Sequence, residues 1–398
     1  MDLSYGPEYA QFRAEVCAFL ESNWPPRGEE AELERNEQQR RFRTRATAAG
    51  YLYRGIPRQY GGSEQEPDAL KAQIIREEFR RVRAPQELGG IGLSQLVPTL
   101  LECGADWQKE KFIRKTIEGE YAWCQGFSEP GSGSDLASVK TRGELVGDEW
   151  VINGQKIWTS FAKQANYMFA LVRTEPDAPK HAGISYLLLE VNQPGIEIRP
   201  LKQITGTSEF NEVFFTDART PTDWIVGKRG QGWQVSRSHL RHERNSLGSA
   251  NASGGQFGSL LRLARNTERN GHPAIEDPAL REQLAEVYGY VQAQAYSGYL
   301  QLTRDAKGED PGIVGLMNKL GNSNIGHKIA RIALSLLGSD SLLAPLGRAP
   351  GNERWMNQFM GSLGMSIAGG TSNIQRNIIA ERGLGLPRDR AASEGSGQ

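Results

Sequence analysis

The stretch Gln125-Gly-Phe-Ser-Glu-Pro-Gly-Ser-Gly-Ser-Asp135 places three glycines and five hydroxyl or carboxylate side chains in one short segment. Glycine allows the backbone to approach a ligand closely, and the N–H groups around it can point at polar ring atoms or phosphates. The same residues also fit a solvent-exposed loop in which Ser and Asp form local turns. The segment is therefore a candidate binding loop whose interpretation depends on the rest of the chain.

Two further segments combine flat rings, hydroxyls and glycines. Trp158-Thr-Ser160 offers an indole face and hydroxyls for the edge of an aromatic cofactor, although a core Trp beside surface hydroxyls is the alternative. Gly369-Gly-Thr-Ser-Asn-Ile-Gln-Arg376 places two glycines before a helix that begins with Thr and Ser. Such a start can bind an anion, and it is also typical of an ordinary N-capped helix.

The residue pattern changes twice along the chain, from helical to strand-like and back to helical. Residues up to about 120 have mostly helical periodicity, with apolar side chains at helical spacing between Asp68 and Arg83. From about Tyr121 to Gly227 the segments are short and rich in β-branched and aromatic residues. These patterns predict a helical domain over 1–120, a central β-domain over 121–228, a helical domain over 229–388, and a disordered tail over 389–398.

Particular turns and helices can be predicted within this order. Val151 to Ile157 has apolar ends around Asn153-Gly154, which predicts a hairpin turn at that dipeptide. After Trp233, two long apolar stripes predict two helices that bury broad faces, together or against another subunit. Their members are Leu280, Leu284, Val287, Val291 and Ala295, and then Val314, Met317, Leu320, Ile325, Ile329, Ile332 and Leu336.

Composition excludes several classes of protein. The chain has 398 residues with 47 Lys and Arg and 47 Asp and Glu, so its zero net charge argues against a nucleic-acid or polybasic membrane-surface protein. No apolar run approaches the roughly 20 residues of a membrane helix. Cys17, Cys103 and Cys124 are too few and too widely spaced for a disulfide framework or a zinc site, so we expect no metal and a cytoplasmic location.

Taken together, the quoted segments resemble the signature regions of the acyl-CoA dehydrogenase family. The stretch FSEPGSGSD is similar to the family's flavin loop, KIWTS to its second flavin motif, and AGGTSNIQRNIIAERGLGLP to its C-terminal motif. The Gly230-Gln-Gly-Trp233 linker is also similar, and the resemblance extends from about Glu8 to Pro387. It implies a mainly α fold with a central β-barrel domain between an N-terminal helical domain and a C-terminal four-helix bundle.

The resemblance also implies an FAD cofactor and a set of residues that bind it. Ser128 is expected to bond the isoalloxazine, and Ser134 to contact both the FAD and the pantetheine of an acyl-CoA. The C-terminal motif is expected to meet the FAD diphosphate. The cofactor-binding candidates are Phe127, Ser128, Gly133, Ser134, Trp158, Thr159, Ser160, Thr371, Asn373 and Gln375.

The expected reaction removes an α-proton from an acyl thioester while the β-hydrogen leaves as hydride, so a carboxylate base is required. Most members of the family place this Glu just before the Gly-Thr of the C-terminal motif, where this chain has Gly369. A minority places it on an earlier helix, and there the chain reads Leu240-Arg-His-Glu-Arg244. Glu243 is therefore the predicted base, with Arg244, Gly369, Gly370 and Ser134 as substrate-binding candidates. A solvated charge on a helix surface is the alternative for Glu243.

The resemblance implies an oxidoreductase acting on CH–CH bonds in lipid metabolism, with electrons passed to an electron-transfer flavoprotein. It also implies an oligomer. The Arg-x-x-Phe-Gly motif of many homotetrameric members is missing from Asn270 to Pro278, and Arg281 is the nearest candidate for its arginine, with no role assigned. A heteromer with a related subunit is therefore a second possible assembly. The alternatives for function are a non-catalytic flavin-binding partner subunit and a same-fold monooxygenase or oxidase acting on a non-CoA substrate.

Overall fold

The computed structural model describes residues 6–247, 252–309, 312–342 and 353–387, so the predicted tail lies outside the described residues. The chain divides into two compact units. The first comprises Met1–Arg199 with Phe210–His242, and the second Pro200–Glu209 with Glu243–Gln398. In the described ranges, no helix is both long and apolar enough to cross a membrane. No group of three His, Cys, Asp or Glu side chains suited to a metal ion occurs in those ranges either.

Helices form the N-terminal part of the first unit. The third begins after Asp68, whose carboxylate accepts a hydrogen bond from the Lys71 N–H at 2.9 Å and so caps the helix. Its apolar residues Ile74, Ile75 and Phe79 are buried, which confirms the helix predicted there. The helices are α1 (Gly6–Asn23), α2 (Arg35–Ala48), α3 (Ala69–Arg81), α4 (Val97–Cys103) and α5 (Asp106–Ile117), with a short π-helical turn at Gly92–Leu96 before α4.

An eight-stranded sheet follows in the same unit. Its strands are β1 (Trp123–Gly126), β2 (Arg142–Val146), β3 (Glu149–Ser160), β4 (Tyr167–Arg173), β5 (Ile184–Glu190), β6 (Ile196–Pro200), β7 (Phe210–Pro221) and β8 (Ile225–Val226). They pair in the order β6-β7-β3-β2-β4-β5-β8, and β1 adds to β4 in parallel. The expected closed barrel is not found, because no hydrogen-bonded pairing among the described residues joins β6 to β8.

The predicted hairpin at Asn153-Gly154 is wrong. The chain runs straight through this dipeptide within β3, and β2 and β3 are joined at Gly147 and Asp148 instead. Asn153 and Gly154 lie where the register with β7 shifts, and Gly154 has a φ of 146°. A Cβ on Gly154 would lie 2.7 Å from the Thr141 Cα, so glycine here permits a bulge and close strand packing.

Helices form most of the second unit. Helix α6 (Gly232–Leu247) spans the division between the units, and α7 (Ala252–Asn266), α8 (Pro278–Ala306), α9 (Gly312–Leu337), α10 (Glu353–Met365) and α11 (Ser372–Ile378) follow. A small ribbon pairs β9 (Glu268–Arg269) with β10 (His272–Pro273). Helix α9 packs against α7, α8 and α10, and the predicted stripe residues Val287 and Ile329 are fully buried in this core. Met317 departs from the prediction, since 52% of it is exposed.

Candidate functional site

The predicted flavin loop follows β1 and lies against β3. The Ile157 N–H donates to the Ser128 carbonyl at 2.9 Å, and Lys156 Nζ donates to the Phe127 carbonyl at 3.0 Å. Phe127 is buried and Ser128 half-buried, whereas Gly133 and Ser134 are exposed. The strand therefore fixes the start of the loop and leaves its glycine-rich part accessible to a ligand.

A buried ion pair reinforces this attachment. Lys156 Nζ lies 2.8 Å from Glu129 Oε1 and also donates to the Leu171 carbonyl at 2.7 Å. The Glu129 carboxylate accepts further bonds from the backbone N–H groups of Lys140 at 2.6 Å and Thr141 at 2.9 Å. Burial lowers the pKa of Lys156 to about 8 against the opposing charge of Glu129. Burial alone would raise the pKa of Glu129, but the charge of Lys156 and the hydrogen bonds hold it below its usual value. Both groups are therefore charged at neutral pH.

The end of β3 presents an aromatic and hydroxyl surface next to this loop. Trp158 is 58% exposed at a φ of 61°, and Phe161 is 56% exposed at a φ of 55°. Thr159 Oγ1 between them is buried and has no hydrogen-bond partner among the described residues. Backbone strain of this kind is concentrated at ligand sites. An exposed indole face beside an unsatisfied buried hydroxyl fits a flat ring with polar edge atoms, so the residues present fit a flavin.

The C-terminal motif forms a tight turn before α11 in the second unit. Gly369 and Gly370 have φ values of 61° and 93°, a left-handed conformation that favours glycine. Thr371 caps α11 by accepting the Ile374 N–H at 3.2 Å, and Gln375 is buried with its amide donating to the Gly369 carbonyl at 3.0 Å. Gln375 thus has a structural contact in addition to its expected role at the diphosphate.

The same turn presents two backbone donors. In the part of the chain that the structure describes, the N–H groups of Gly369 and Gly370 have no hydrogen-bond acceptor, while Lys319 Nζ holds the Gly370 carbonyl at 2.8 Å. Burial lowers the pKa of Lys319. Asn373, one position into α11, accepts a bond from Arg376 Nη1 at 3.0 Å. The turn therefore holds donors in a fixed place without a carboxylate of its own.

The predicted base lies on α6. Glu243 is half-buried near the C-terminal end of this helix. Arg244 follows it within the helix, and its side chain lies outside the described part of the structure. The first unit contains the loop after β1, with Phe127, Ser128, Gly133 and Ser134, and the end of β3, with Trp158, Thr159 and Ser160. The second unit contains the turn and first helical residues Gly369, Gly370, Thr371, Asn373 and Gln375.

Sequence reasoning assigned no role to Lys156, Glu129 and His239. The Glu in the first predicted flavin motif and the Lys in the second are a usable signal, because such residues are rarely buried unless they pair with an opposite charge. His239 gives no such signal, since Ser-Arg-Ser-His-Leu-Arg-His-Glu-Arg resembles a charged, solvated helix face. In the structure His239 is fully buried.

Known proteins are similar to this chain over its N-terminal, middle and C-terminal parts. The N-terminal, middle and C-terminal domain models of acyl-CoA dehydrogenases match residues 6–120, 124–218 and 230–384. The chain is 39% identical over 390 residues to acyl-CoA dehydrogenase IpdE1 of Mycobacterium tuberculosis, covering 95% of this chain and 98% of that protein. It is 29% identical over 393 residues to acyl-CoA dehydrogenase FadE29 of the same organism, covering 98% of this chain and 99% of that protein.

Solved structures are similar over almost the full length. A steroid acyl-CoA dehydrogenase described as Tcur3481-Tcur3483 matches with a TM-score of 0.77 at 27% identity, covering 98% of this chain and all of that chain. The ChsE4-ChsE5 complex from Mycobacterium tuberculosis matches with a TM-score of 0.76 at 28% identity, with the same coverage. Three domain models, full-length relatives and the loop geometry agree: the chain belongs to the acyl-CoA dehydrogenase family of oxidoreductases.

Proposed function

We propose that the protein binds FAD and desaturates an acyl-CoA thioester between its α and β carbons. The observation that carries this proposal is the edge of β3, where exposed Trp158 and the unsatisfied Thr159 hydroxyl lie beside a glycine-rich loop. When bound, FAD supplies the acceptor for the β-hydride. The chain's own residues hold the ring, position the thioester and remove the α-proton.

The proposed roles of the site residues are those that the family resemblance implies, and the exposure of Gly133 and Ser134 supports them. Phe127, Ser128, Gly133 and Ser134 form the loop that holds the isoalloxazine, with exposed Ser134 also contacting the pantetheine. Trp158, Thr159 and Ser160 flank the ring from β3. Thr371, Asn373 and Gln375 contact the diphosphate. The free N–H groups of Gly369 and Gly370 support a role as donors to the thioester oxygen, which gains charge as the α-proton leaves.

We assign the base to Glu243, with Arg244 beside it at the substrate. The backbone of Gly369 supports this assignment, because its φ of 61° disfavours any side chain at the position where the family usually has its Glu. A carboxylate on α6 is then the remaining candidate in the family pattern. Acyl-CoA and an electron-transfer flavoprotein are the proposed reaction partners, and the three free cysteines support a cytoplasmic location.

We further propose that the chain has three functional parts, with boundaries near residues 120 and 228. We also propose that it works as an oligomer. The two structures with paired names, Tcur3481-Tcur3483 and ChsE4-ChsE5, support a heteromer with a related subunit, and the first supports a steroid-derived acyl group. The absence of Arg-x-x-Phe-Gly between residues 270 and 278 is consistent with a partner that supplies this contact. The same observations favour a non-catalytic partner subunit as the second candidate function.

The test is to purify the protein, alone and with a co-expressed related subunit, and to add acyl-CoA without oxygen. We expect a yellow protein that releases FAD on denaturation and whose flavin absorbance bleaches with substrate. Glu243→Gln keeps the shape and removes the base, so bleaching should slow by about a hundred- to ten-thousand-fold while FAD and acyl-CoA still bind.

Glu282→Gln is the matched control, because Glu282 is an exposed carboxylate on α8. This variant should bleach as fast as the parent. If Glu243→Gln also bleaches at the parental rate, the base is elsewhere, and the partner-subunit function becomes the better account. Recovery of apoprotein alone from every co-expression would contradict the flavin assignment.

A further inference from the structure

Four buried polar side chains meet in the interior of the first unit. They are Gln95 from the turn before α4, Thr99 from α4, Tyr186 from β5 and His239 from α6. The exposed fractions are 6% for Gln95 and 0% for the other three. Buried polar groups are costly unless each is satisfied, so the direction of every hydrogen bond in this cluster is informative.

The bonds around His239 have a single consistent direction. Burial lowers the pKa of His239 to about 3, with the charge of His242 contributing in the same sense, so the imidazole is neutral at physiological pH. Its Nε2 lies 3.0 Å from Gln95 Oε1, an acceptor, and therefore carries the proton. Its Nδ1 lies 3.2 Å from the Tyr186 hydroxyl and accepts from it. The Thr99 hydroxyl donates to the Gln95 backbone carbonyl at 2.7 Å.

With the hydrogen bonds in this direction, the two N–H donors of the Gln95 amide remain unused. The Gln95 amide oxygen is occupied by His239, which turns the amide nitrogen away from the ring. That nitrogen has no acceptor among the described residues, and Gln95 keeps 6% of its surface exposed. A nearly buried amide held in one orientation, with two unused N–H donors, is suited to an oxygen atom of a ligand.

The position of the cluster identifies which ligand. The His239 ring packs against Phe127, with ring centroids 5.0 Å apart, and against Phe169 at 4.8 Å. Phe127 is the first residue of the loop proposed to hold the isoalloxazine. A substrate acyl group must lie against that ring for its β-hydrogen to be transferred, so it is the ligand portion nearest to this cluster.

We infer that Gln95 is a specificity-determining residue that donates a hydrogen bond to a keto or hydroxyl oxygen on the acyl group, beyond the thioester. His239 and Tyr186 are positioning residues that fix the amide in its donor orientation. This inference rests on the proposed function. A purely hydrocarbon acyl group would leave the donors unsatisfied, and a site built to bond a substrate oxygen rejects the analogue that lacks it.

The test compares two steroidal acyl-CoA thioesters with the same carbon skeleton, one with a ring ketone and one with a methylene in its place, since a similar solved structure is described as a steroid acyl-CoA dehydrogenase. The holoprotein, with its partner subunit where one is needed, is titrated calorimetrically for Kd and then mixed anaerobically for bleaching. We expect the ketone to bind at least about tenfold more tightly. Gln95→Met keeps the volume and removes the donors, so it should abolish this preference while its affinity for the methylene compound stays within about threefold of the parent's.

Two further variants separate recognition from folding. Gln108 is a buried Gln whose amide is fully used by the carbonyls of Asp223 and Ile225, so Gln108→Met should lower stability and leave the preference intact. Tyr186→Phe removes the bond that fixes the tautomer of His239 and should reduce the preference without abolishing it.

The outcomes separate the two proposals. Bleaching by both thioesters with equal Kd values, or a preference that survives in Gln95→Met, would overturn the inference and leave the dehydrogenase intact. A ketone preference in Kd without any bleaching would support the role of Gln95 and contradict catalysis by this chain. Failure of both thioesters to bind would contradict both proposals.

Discussion

At the scale of single residues, His239 couples folding to pH. Its folded pKa of about 3 lies below the 6.5 of an ordinary histidine, so the unfolded chain takes up a proton between these values and the folded chain does not. The destabilisation caused by this proton uptake is absent above pH 6.5. It grows as the pH drops from 6.5 toward 3, so the free energy of unfolding falls over that range. Between pH 7 and pH 4.5 the loss from this one group is about 2 to 3 kcal/mol.

Urea denaturation at several pH values measures this dependence. His239→Gln removes the titrating group, so its free energy of unfolding should fall less steeply than the parent's over the same interval. His272→Gln is the control, because His272 is exposed on β10. Parallel curves for the parent and His239→Gln would mean that the imidazole is not held neutral by burial.

At the scale of elements, the Gly230-Gln-Gly-Trp233 segment sets the start of α6. Gly230 has a φ of 77°, and a Cβ on Gly232 would lie 2.4 Å from the carbonyl carbon of Ser185 and 2.6 Å from the Tyr186 nitrogen. Gly232→Ala must therefore push α6 away from β5. We expect it to lower the free energy of unfolding by about 2 to 3 kcal/mol, as measured by thermal or chemical denaturation.

Gly289→Ala is the matched control. Gly289 lies on an exposed face in the middle of α8, and an added Cβ would meet nothing within 4 Å. Alanine there gains helix propensity, so the variant should be more stable by about 0.5 to 1 kcal/mol. Equal effects of the two substitutions would show that α6 does not depend on its close approach to β5.

Some elements are predictable from the sequence because their determinants are local. The buried stripe of α8 recurs every three or four residues, and the Asp68 cap immediately precedes α3. The paired strands are not local, since Glu149 pairs with Pro221 and Ser160 with Phe210. Local pattern therefore favoured a turn at Asn153-Gly154, where distant pairing stabilises a bulge. His239 was missed for the same reason, because its burial depends on residues from α4 and β5.

At the scale of the whole molecule, exposed apolar side chains indicate an assembly. On α8, Tyr288 and Tyr296 are 51% and 48% exposed, and Met317 on α9 is 52% exposed. Large apolar side chains in such number on neighbouring helices are typical of interaction surfaces. We expect the purified protein, with its partner where one is needed, to have the mass of a dimer or larger by light scattering.

Tyr296→Glu with Met317→Glu places charges on this surface and should lower the measured mass. Leu145→Glu is the control, because Leu145 is 44% exposed on β2, which belongs to the first unit, whereas α8 and α9 belong to the second. A monomeric parent that retains FAD and activity would contradict the assembly.

The pairing of β3 with β7 also constrains how the protein is made. Strand β3 leaves the ribosome while β7, its most extensively paired neighbour, has not yet been translated. The helices before it can form from local contacts, but this sheet must wait for a long loop to close. During that interval the apolar side chains of β3, including Trp150 and Ile152, lack their final cover. The nascent chain is therefore most in need of a chaperone between the synthesis of these two strands.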